Sequence, residues 1–413
     1  MKVLLISGEY PPMRGGVADY TARLADALVC QGAEVTVLTS ERAKIAGGMA
    51  ALPATVESQP QGVRVLASVS DWGPGHWRDA EQVIGSLRPD VVNIQYQTGA
   101  YGMRVGVNIL PWRLRLGRDR PRIVVTFHDL KEPYLLPKIG RLRHLATILL
   151  AAGADGVVVT NHEDYRRVAS LANPSRARPV TGGRALAAIP IGSNIPQPPT
   201  NYDRARVREG LHARAGDTLI GFFGFLVPSK GLETLVSAFE RLVGQGRAVR
   251  LAMIGASAGD SEMTGDSYGN EIRRRLEQPV LAEKVTWTGF APDSEVAGYL
   301  TACDLVCLPF RDGASLRHGT LAAAIALARP IVTTLGARPS PASGLPQLVD
   351  GESAVLVPPG DEEYLATAIT RVGDDHTLQC RLRDGARRLA SAMHWQAIAR
   401  QTLDFYIRIE AES

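Results

Sequence analysis

Asp304-Leu-Val-Cys-Leu-Pro-Phe-Arg-Asp-Gly-Ala-Ser-Leu-Arg-His-Gly-Thr-Leu-Ala-Ala-Ala-Ile-Ala-Leu-Ala-Arg-Pro-Ile-Val-Thr-Thr334 is the stretch whose reading decides the fold. Leu305–Leu308 is a short apolar run of buried-strand length, and Pro309 ends it. Asp312-Gly313 signals a turn. Thr320–Ala328 consists almost wholly of good helix formers with apolar residues on every side, which predicts a buried helix. Arg329-Pro330 stops that helix, and the β-branched run Ile331–Thr334 predicts the next strand. The unit is strand, polar loop, buried helix, strand. Its loop holds Arg311, Asp312, Ser315, Arg317 and His318 at the mouth of a helix N-terminus, where backbone N–H groups and the helix dipole favour an anion. Each of these residues alone reads as part of a solvated loop. Together they read as a phosphate site.

The chain around this unit has 413 residues, more than one ordinary core accommodates, so two domains are expected. A hydrophobic fraction of 45% with 21% charged residues is that of a soluble globular protein, and a formal charge of +4 gives no indication of nucleic acid. Cys30, Cys303, Cys307 and Cys380 are scattered, without a CxxC pair, which argues against a metal cluster and fits a reducing cytoplasm. Met1–Ser7 is too short for a signal peptide, and no apolar run has the length of a membrane span.

The opening of the chain repeats the strand–loop–helix logic. Lys2–Ser7 predicts a buried parallel strand, Ala18–Cys30 a helix with Tyr20, Leu24, Ala27 and Leu28 on one face, and Glu34–Thr39 a second strand. Gly15-Gly16 precedes the helix, where paired glycines let a backbone come close to a ligand; the GxGxxG spacing of a dinucleotide site is absent. Further strands are predicted at Val63–Leu66, Val91–Gln95, Arg122–Phe127 and Gly156–Thr160, with helices between them at Ala80–Leu87 and Ile139–Ala151, which is a doubly wound α/β domain. Ligands of such sheets lie beyond the carboxyl ends of the strands, where Gln95-Tyr96-Gln97, His128-Asp129 and Asn161-His162-Glu163 fall. His128 there acts as a base, bonds a sugar hydroxyl, or caps its strand through the backbone. His162 reads as structural. Arg104, Arg113, Arg115, Arg118, Arg120 and Arg122 are interleaved with Leu110, Trp112, Leu114 and Leu116, and Lys138, Arg141 and Arg143 follow. Such a run is a solvated face or, with its Trp and Leu, a salt-sensitive interfacial membrane contact.

Ile195–Ala215 carries Pro196, Pro198 and Pro199 and then a polar stretch, and reads as a linker. A second βα series follows: strand Thr218–Gly224, loop Phe225–Gly231, helix Leu232–Gly244, strand Arg250–Gly255, a Gly- and Ser-rich loop Ala256–Gly269, strand Lys284–Gly289 and helix Asp293–Thr301. Lys230 stands at a helix start, again a place for phosphate. Leu348–Asp361 is a turn, a strand and a second turn, and helices run from Glu362 to the end.

Taken in order, these pieces resemble the retaining glycosyltransferases of the two-Rossmann-domain (GT-B) class, the group-1 family that uses nucleotide-sugar donors. The matching residues are Pro11-Pro12 with Gly15-Gly16, Thr126–Asp129, Gly224–Gly231, Met253–Gly255, Val285–Pro292, Ala302–Asp304, Arg329–Thr334, Leu348–Asp361 and Met393–Tyr406. The resemblance implies two Rossmann-like domains across a cleft. Residues 1–195 would be the acceptor domain with 391–413 packing back on it, 196–215 the linker, and 216–390 the donor domain. It implies transfer from a nucleotide-diphosphate sugar to a hydroxyl of a glycan, lipid-linked or small-molecule acceptor. No metal or other cofactor and no nucleic acid would take part. A cytoplasmic location follows, with a peripheral membrane contact through Arg104–Arg122. Lys230 matches the family's diphosphate lysine, Gly15 and Gly16 its donor-approaching loop, and His128 a position near the transferred sugar. Two features depart from the family. Phe225 stands where an arginine is usual, and Ser315 and Ala323 stand where two glutamates are usual. The loop Asp312–Gly319 resembles a variant in which Asp-Gly-x-Ser-x-Arg replaces that motif. His128 and Asp312 are then the expected catalytic residues, with Ser315, Arg317, His318 and Glu352 joining the donor-binding set. The missing glutamates leave two further readings, an inactive nucleotide-sugar-binding protein and a nucleotide-sugar epimerase of the same fold.

Overall fold

A computed structural model describes residues 1–13, 15–45, 62–73, 75–117, 120–130, 140–171, 185–255 and 265–411. The chain divides into two compact units. The first comprises Met1–Ile191, Pro339–Leu345 and Trp395–Ser413; the second comprises Gly192–Arg338 and Pro346–His394.

The first unit is built on seven parallel strands: β1 (Lys2–Ser7), β2 (Glu34–Ser40), β3 (Arg64–Val69), β4 (Val91–Tyr96), β5 (Arg122–Phe127), β6 (Gly156–Val159) and β7 (Ala185–Ala188). Their order is β3-β2-β1-β4-β5-β6-β7. The chain therefore leaves β1 in one direction and returns to its other side at β4. Such a reversal opens a crevice at the carboxyl ends of the two strands. The second unit has six strands: β8 (Thr218–Phe223), β9 (Val249–Ile254), β10 (Val285–Gly289), β11 (Leu305–Leu308), β12 (Ile331–Thr334) and β13 (Val355–Val357). Their order, β10-β9-β8-β11-β12-β13, reverses between β8 and β11. Every pair of neighbouring strands in it is parallel, so both units are doubly wound, as the alternation of apolar runs and helices predicts.

Four helices start from candidate site loops or cover the first sheet: α1 (Gly16–Cys30), α2 (Leu232–Gly244), α3 (Gly319–Ala326) and α4 (Trp395–Ala411). α3 is buried from Leu321 to Ile325, in keeping with its apolar composition on every side. α4 packs on α1 and belongs to the first unit although it ends the chain. Its Ile398, Ala399, Phe405, Tyr406 and Ile409 join Val3, Leu5, Val91, Val124 and Val158 of the sheet in one apolar cluster. The Tyr406 hydroxyl accepts a hydrogen bond from buried Asn93 Nδ2 at 2.6 Å.

The stretch expected to be a linker contains a helix, Arg204–Gly210, capped by Asp203. Arg204 and Arg208 both pair with Asp304, at 2.7 and 2.9 Å, which ties this stretch to the start of β11. A helix also runs from Gly265 to Leu276, overlapping the expected Gly- and Ser-rich loop, whose residues 256–264 lie outside those described.

Candidate active site

In the second unit the loops after β8, β11 and β12 are knitted together at the carboxyl ends of their strands. The Arg311 N–H donates to the Ser229 carbonyl at 3.1 Å, and the Ala314 N–H to the Thr334 carbonyl at 3.1 Å. The Thr334 hydroxyl donates to the Phe310 carbonyl at 2.7 Å. Gly231 sits at φ +66°, and a Cβ on it would overlap the Pro309 carbonyl oxygen. Only glycine allows that approach in a left-handed conformation. The β8 loop is thereby locked on the β11 loop, with α2 starting from the one and α3 from the other.

Lys230 is half-buried in this knot. Its Nζ lies 3.5 Å from the Thr320 hydroxyl and 5.0 Å from the centre of the Phe310 ring. The Phe310 ring stacks on His318 with centroids 3.9 Å apart. His318 is the N-cap of α3, and its Nδ1 accepts from the Ser315 N–H at 3.4 Å. Lys230, Ser315 and His318 are therefore brought together, and Arg317 immediately precedes the cap. Asp312 is exposed in the same loop, beside Gly313 at φ +85°. A lysine and two helix N-termini at a strand-order reversal make an anion site of the kind that accepts a diphosphate.

Glu352 is not part of it. Its turn precedes β13, and Val355 is in register with Val332 of β12, so Glu352 lies at the amino edge of the strands, opposite these loops. Its backbone packs instead on Gly385, where a Cβ would meet the Glu352 carbonyl. Of the positions that depart from the resemblance, Phe225 is 46% exposed and Ala323 fully buried. Phe310 and Thr320 join the cluster unannounced by the sequence. Phe310 lies past Pro309, which ends the strand in the sequence reading. A cavity of about 640 Å³ in this unit lies elsewhere, at the amino edges of β8 and β11. It is walled by Arg204, Arg208, Asp217 and Asp304, which are engaged with one another or with nearby groups.

The first unit places its candidate residues at its own reversal point. Gly15 is the N-cap of α1 in an extended conformation, and the space beside Gly16 is open. The space beside Gly15 is filled by the chain itself. A Cβ there would overlap the Glu9 carboxyl group, which accepts the Ala18 N–H at 3.3 Å. An acid is drawn to a helix N-terminus for the same reason a phosphate is. Burial holds the Glu9 carboxyl above its usual range, against the pull of the Ala18 and Val17 amides. Sequence reading missed Glu9; a glutamate two residues past the end of a buried strand was its only signal. His128 follows β5. Its N–H donates to the Tyr96 carbonyl at 3.0 Å, its Nε2 lies 2.9 Å from Gln95 Oε1, and its ring stands edge-on to Tyr20 with centroids 4.5 Å apart. Burial pushes its pKa down to about 3, so the ring is neutral at physiological pH. His162 Nδ1 lies 2.9 Å from the Ser343 hydroxyl.

Several arginines of the basic run near residue 113 are engaged with acids. Arg104 pairs with Asp71, Arg113 with Glu81, and Arg115 and Arg120 with Asp155. What stands out instead is apolar. Val105, Ile109, Trp112 and Leu116 are 58%, 43%, 40% and 83% exposed, along a stretch that holds two short helical turns, Gly106–Asn108 and Leu110–Leu114. Arg118 and Lys138 lie outside the described residues, as do the side chains of Arg141 and Arg143. Among the described residues no helix is long and apolar enough to cross a membrane.

Comparison with known proteins agrees with this geometry. The profile of a family described as "Glycosyl transferases group 1" matches residues 217–375, and that of a "Glycosyl transferase 4-like domain" matches residues 15–183. The D-inositol 3-phosphate glycosyltransferase of Thermomonospora curvata is 25% identical over 95% of this chain and 90% of its own length. The putative colanic acid biosynthesis glycosyltransferase WcaL of Salmonella typhimurium is 30% identical over 43% of this chain, which spans 41% of that relative. Among solved structures, sucrose-phosphate synthase from Thermosynechococcus elongatus superposes with a TM-score of 0.75 at 20% identity, covering 100% of both chains. Anabaena HepE in complex with UDP and glucose gives 0.69 at 20% identity, covering 98% of both.

Proposed function

The chain belongs to the group 1 glycosyl transferases, and from that premise we propose that it moves a sugar from a nucleoside-diphosphate donor to an acceptor hydroxyl with retention at the anomeric carbon. The observation that carries this reading is the knot of Lys230, Phe310, Ser315, His318 and Thr320 at the starts of α2 and α3. In the reaction the bond between the sugar C1 and the diphosphate oxygen breaks and a bond from C1 to the acceptor oxygen forms. The acceptor's proton leaves with the diphosphate. Lys230, Arg317 and the helix N-terminal amides take up the charge that develops on the leaving oxygen. We assign that role to these groups without a metal ion.

An acid in a diphosphate site is repelled unless it faces sugar hydroxyls, and we place exposed Asp312 there. Asp312→Asn is expected to lower turnover at least tenfold and to leave nucleotide affinity nearly unchanged. Asn-Gly serves a turn as well as Asp-Gly, so a loss of turnover with an intact circular dichroism spectrum separates the two roles. Unchanged turnover would remove Asp312 from the site. The reaction itself is tested by incubating the protein with a panel of nucleotide sugars, with and without acceptors and EDTA, and following donor and nucleotide by mass spectrometry. Nucleotide binding with no donor consumed under any condition would return the chain to the binding-protein reading.

For the acceptor we propose a lipid-linked glycan met at a membrane surface. Support comes from the exposed side chains of Val105, Ile109, Trp112 and Leu116, and from a relative named as a phosphatidylinositol monomannoside mannosyltransferase, 23% identical over 75% of this chain. Because Arg104, Arg113, Arg115 and Arg120 are paired with acids, attachment through this stretch should be mainly apolar. The protein is expected to sediment with vesicles and to remain bound at high salt, where purely ionic attachment is screened. The double substitution Trp112→Ser, Leu116→Ser should lower partitioning on the order of tenfold or more, since two apolar side chains no longer bury. Equal recovery in the supernatant with and without vesicles would leave the run a solvated face.

A further inference from the structure

We propose that Gln95 is a positioning residue that fixes His128 as a hydrogen-bond donor, its proton on Nδ1, so that His128 meets an oxygen of the transferred sugar and does not act as a base. The proposal rests on the reading of His128 as a residue that touches the donor sugar.

Gln95 lies at the end of β4, next to Thr126 of β5, and is fully buried. Its side-chain amide faces His128 Nε2 at 2.9 Å. With Oε1 toward the ring, Gln95 Nε2 is a buried donor that has no partner. The oxygen and nitrogen of an amide are told apart by the bonds they make. Turning this amide over sets its N–H on the ring nitrogen and leaves the carbonyl in the unpartnered place. An orphaned buried N–H is rarer, and costs more, than an under-satisfied carbonyl. The turned amide is therefore the favoured one, and it fixes the ring. Once Nε2 accepts from Gln95, the single proton of the neutral imidazole must sit on Nδ1.

His128 is only partly buried, and no hydrogen bond to its Nδ1 is seen among the described residues. The remaining contacts of the residue hold it in place without touching Nδ1: its N–H on the Tyr96 carbonyl and the edge of Tyr20 against its ring. A ligand at the carboxyl end of β5 thus meets an N–H. An N–H there recognises a hydroxyl or other oxygen, and it removes no proton.

The test uses the full-length protein carrying 15N-histidine. The ring signals of His128 are those lost in His128→Ala. The expected spectrum shows Nδ1 protonated and Nε2 bare at neutral pH. In Gln95→Leu, which offers Nε2 no donor, the preference for a proton on Nδ1 should be lost, and the KM for the donor should rise by up to about tenfold, the equivalent of one lost hydrogen bond. An Nε2-protonated ring in the wild-type protein would overturn the proposal, and this measurement needs no variant to fold other than the one used for assignment. His128→Ala should raise the donor KM by a similar factor. An unchanged KM in His128→Ala would remove His128 from the sugar site, whatever the spectrum shows, and so separates that reading from the tautomer.

Discussion

Replacing Lys230 with alanine is expected to weaken binding of a nucleoside diphosphate by about 1.5–3 kcal/mol, the range of a hydrogen bond to a charged group, or roughly 10- to 150-fold. The lysine sits between Thr320 and the face of Phe310 at the start of two helices, beside the place proposed for the leaving group. Alanine also removes packing from Phe310. Lys230→Met keeps most of the stem and isolates the charge, and it should show nearly the same loss. Titration calorimetry with a nucleoside diphosphate reads both variants. Arg317→Ala should fall in the same range, with turnover lowered as well. Wild-type affinity in the lysine and arginine variants together would place the diphosphate elsewhere.

Gly231→Ala is expected to be, with Gly313→Ala, among the most destabilising single methyl groups added to these loops. Two costs combine there. A non-glycine residue at φ +66° is strained by about 1–2 kcal/mol, and the new Cβ drives against the Pro309 backbone, which cannot move without β11. Gly360 provides the control. It has φ +78° with open space around it, so Gly360→Ala bears the strain without the collision. Gly231→Ala should therefore unfold at a temperature lower than Gly360→Ala by several degrees, at about 2–4 °C per kcal/mol for a domain of this size. Donor affinity should fall in Gly231→Ala alone, because parting the two loops moves Lys230 away from Thr320 and Phe310. Equal melting temperatures and equal affinities for the two variants would mean that the loops are not locked.

The sequence makes most of the strands readable because a parallel sheet covered on both faces demands continuous apolar runs. Leu305–Leu308 and Ile331–Thr334 form strands with those very boundaries. β7 escapes notice because Ala185-Leu-Ala-Ala188 has no β-branched residue to announce it. The candidate site divides along the same line. Ser315, Arg317 and His318 are legible because one short loop carries them, and Lys230 because its loop sits on the neighbouring strand. Glu9 is not, since its place beside Gly15 depends on the β1 loop folding back over a helix start. Glu352 suggests itself as a spare acid. The direction of β13 rules it out, because a turn that precedes a parallel strand lies at the edge away from the ligand. Gln95 is visible as a polar strand end, but its bond to His128 requires the pairing of β4 with β5.

The position of α4 after the second unit has a consequence for synthesis. A ribosome delivers the sheet of the first unit early, from β1 to β7, but the apolar face formed by Val3, Leu5, Val91, Val124 and Val158 is completed by Ile398, Phe405, Tyr406 and Ile409. Those residues emerge only after the strands of the second unit. The second unit has all of its strands outside the ribosome before then and is able to fold as a domain in its own right. The first unit is thus begun before the second and completed after it. A nascent chain arrested anywhere before Trp395 displays an uncovered hydrophobic sheet face, which chaperones or aggregation would meet first.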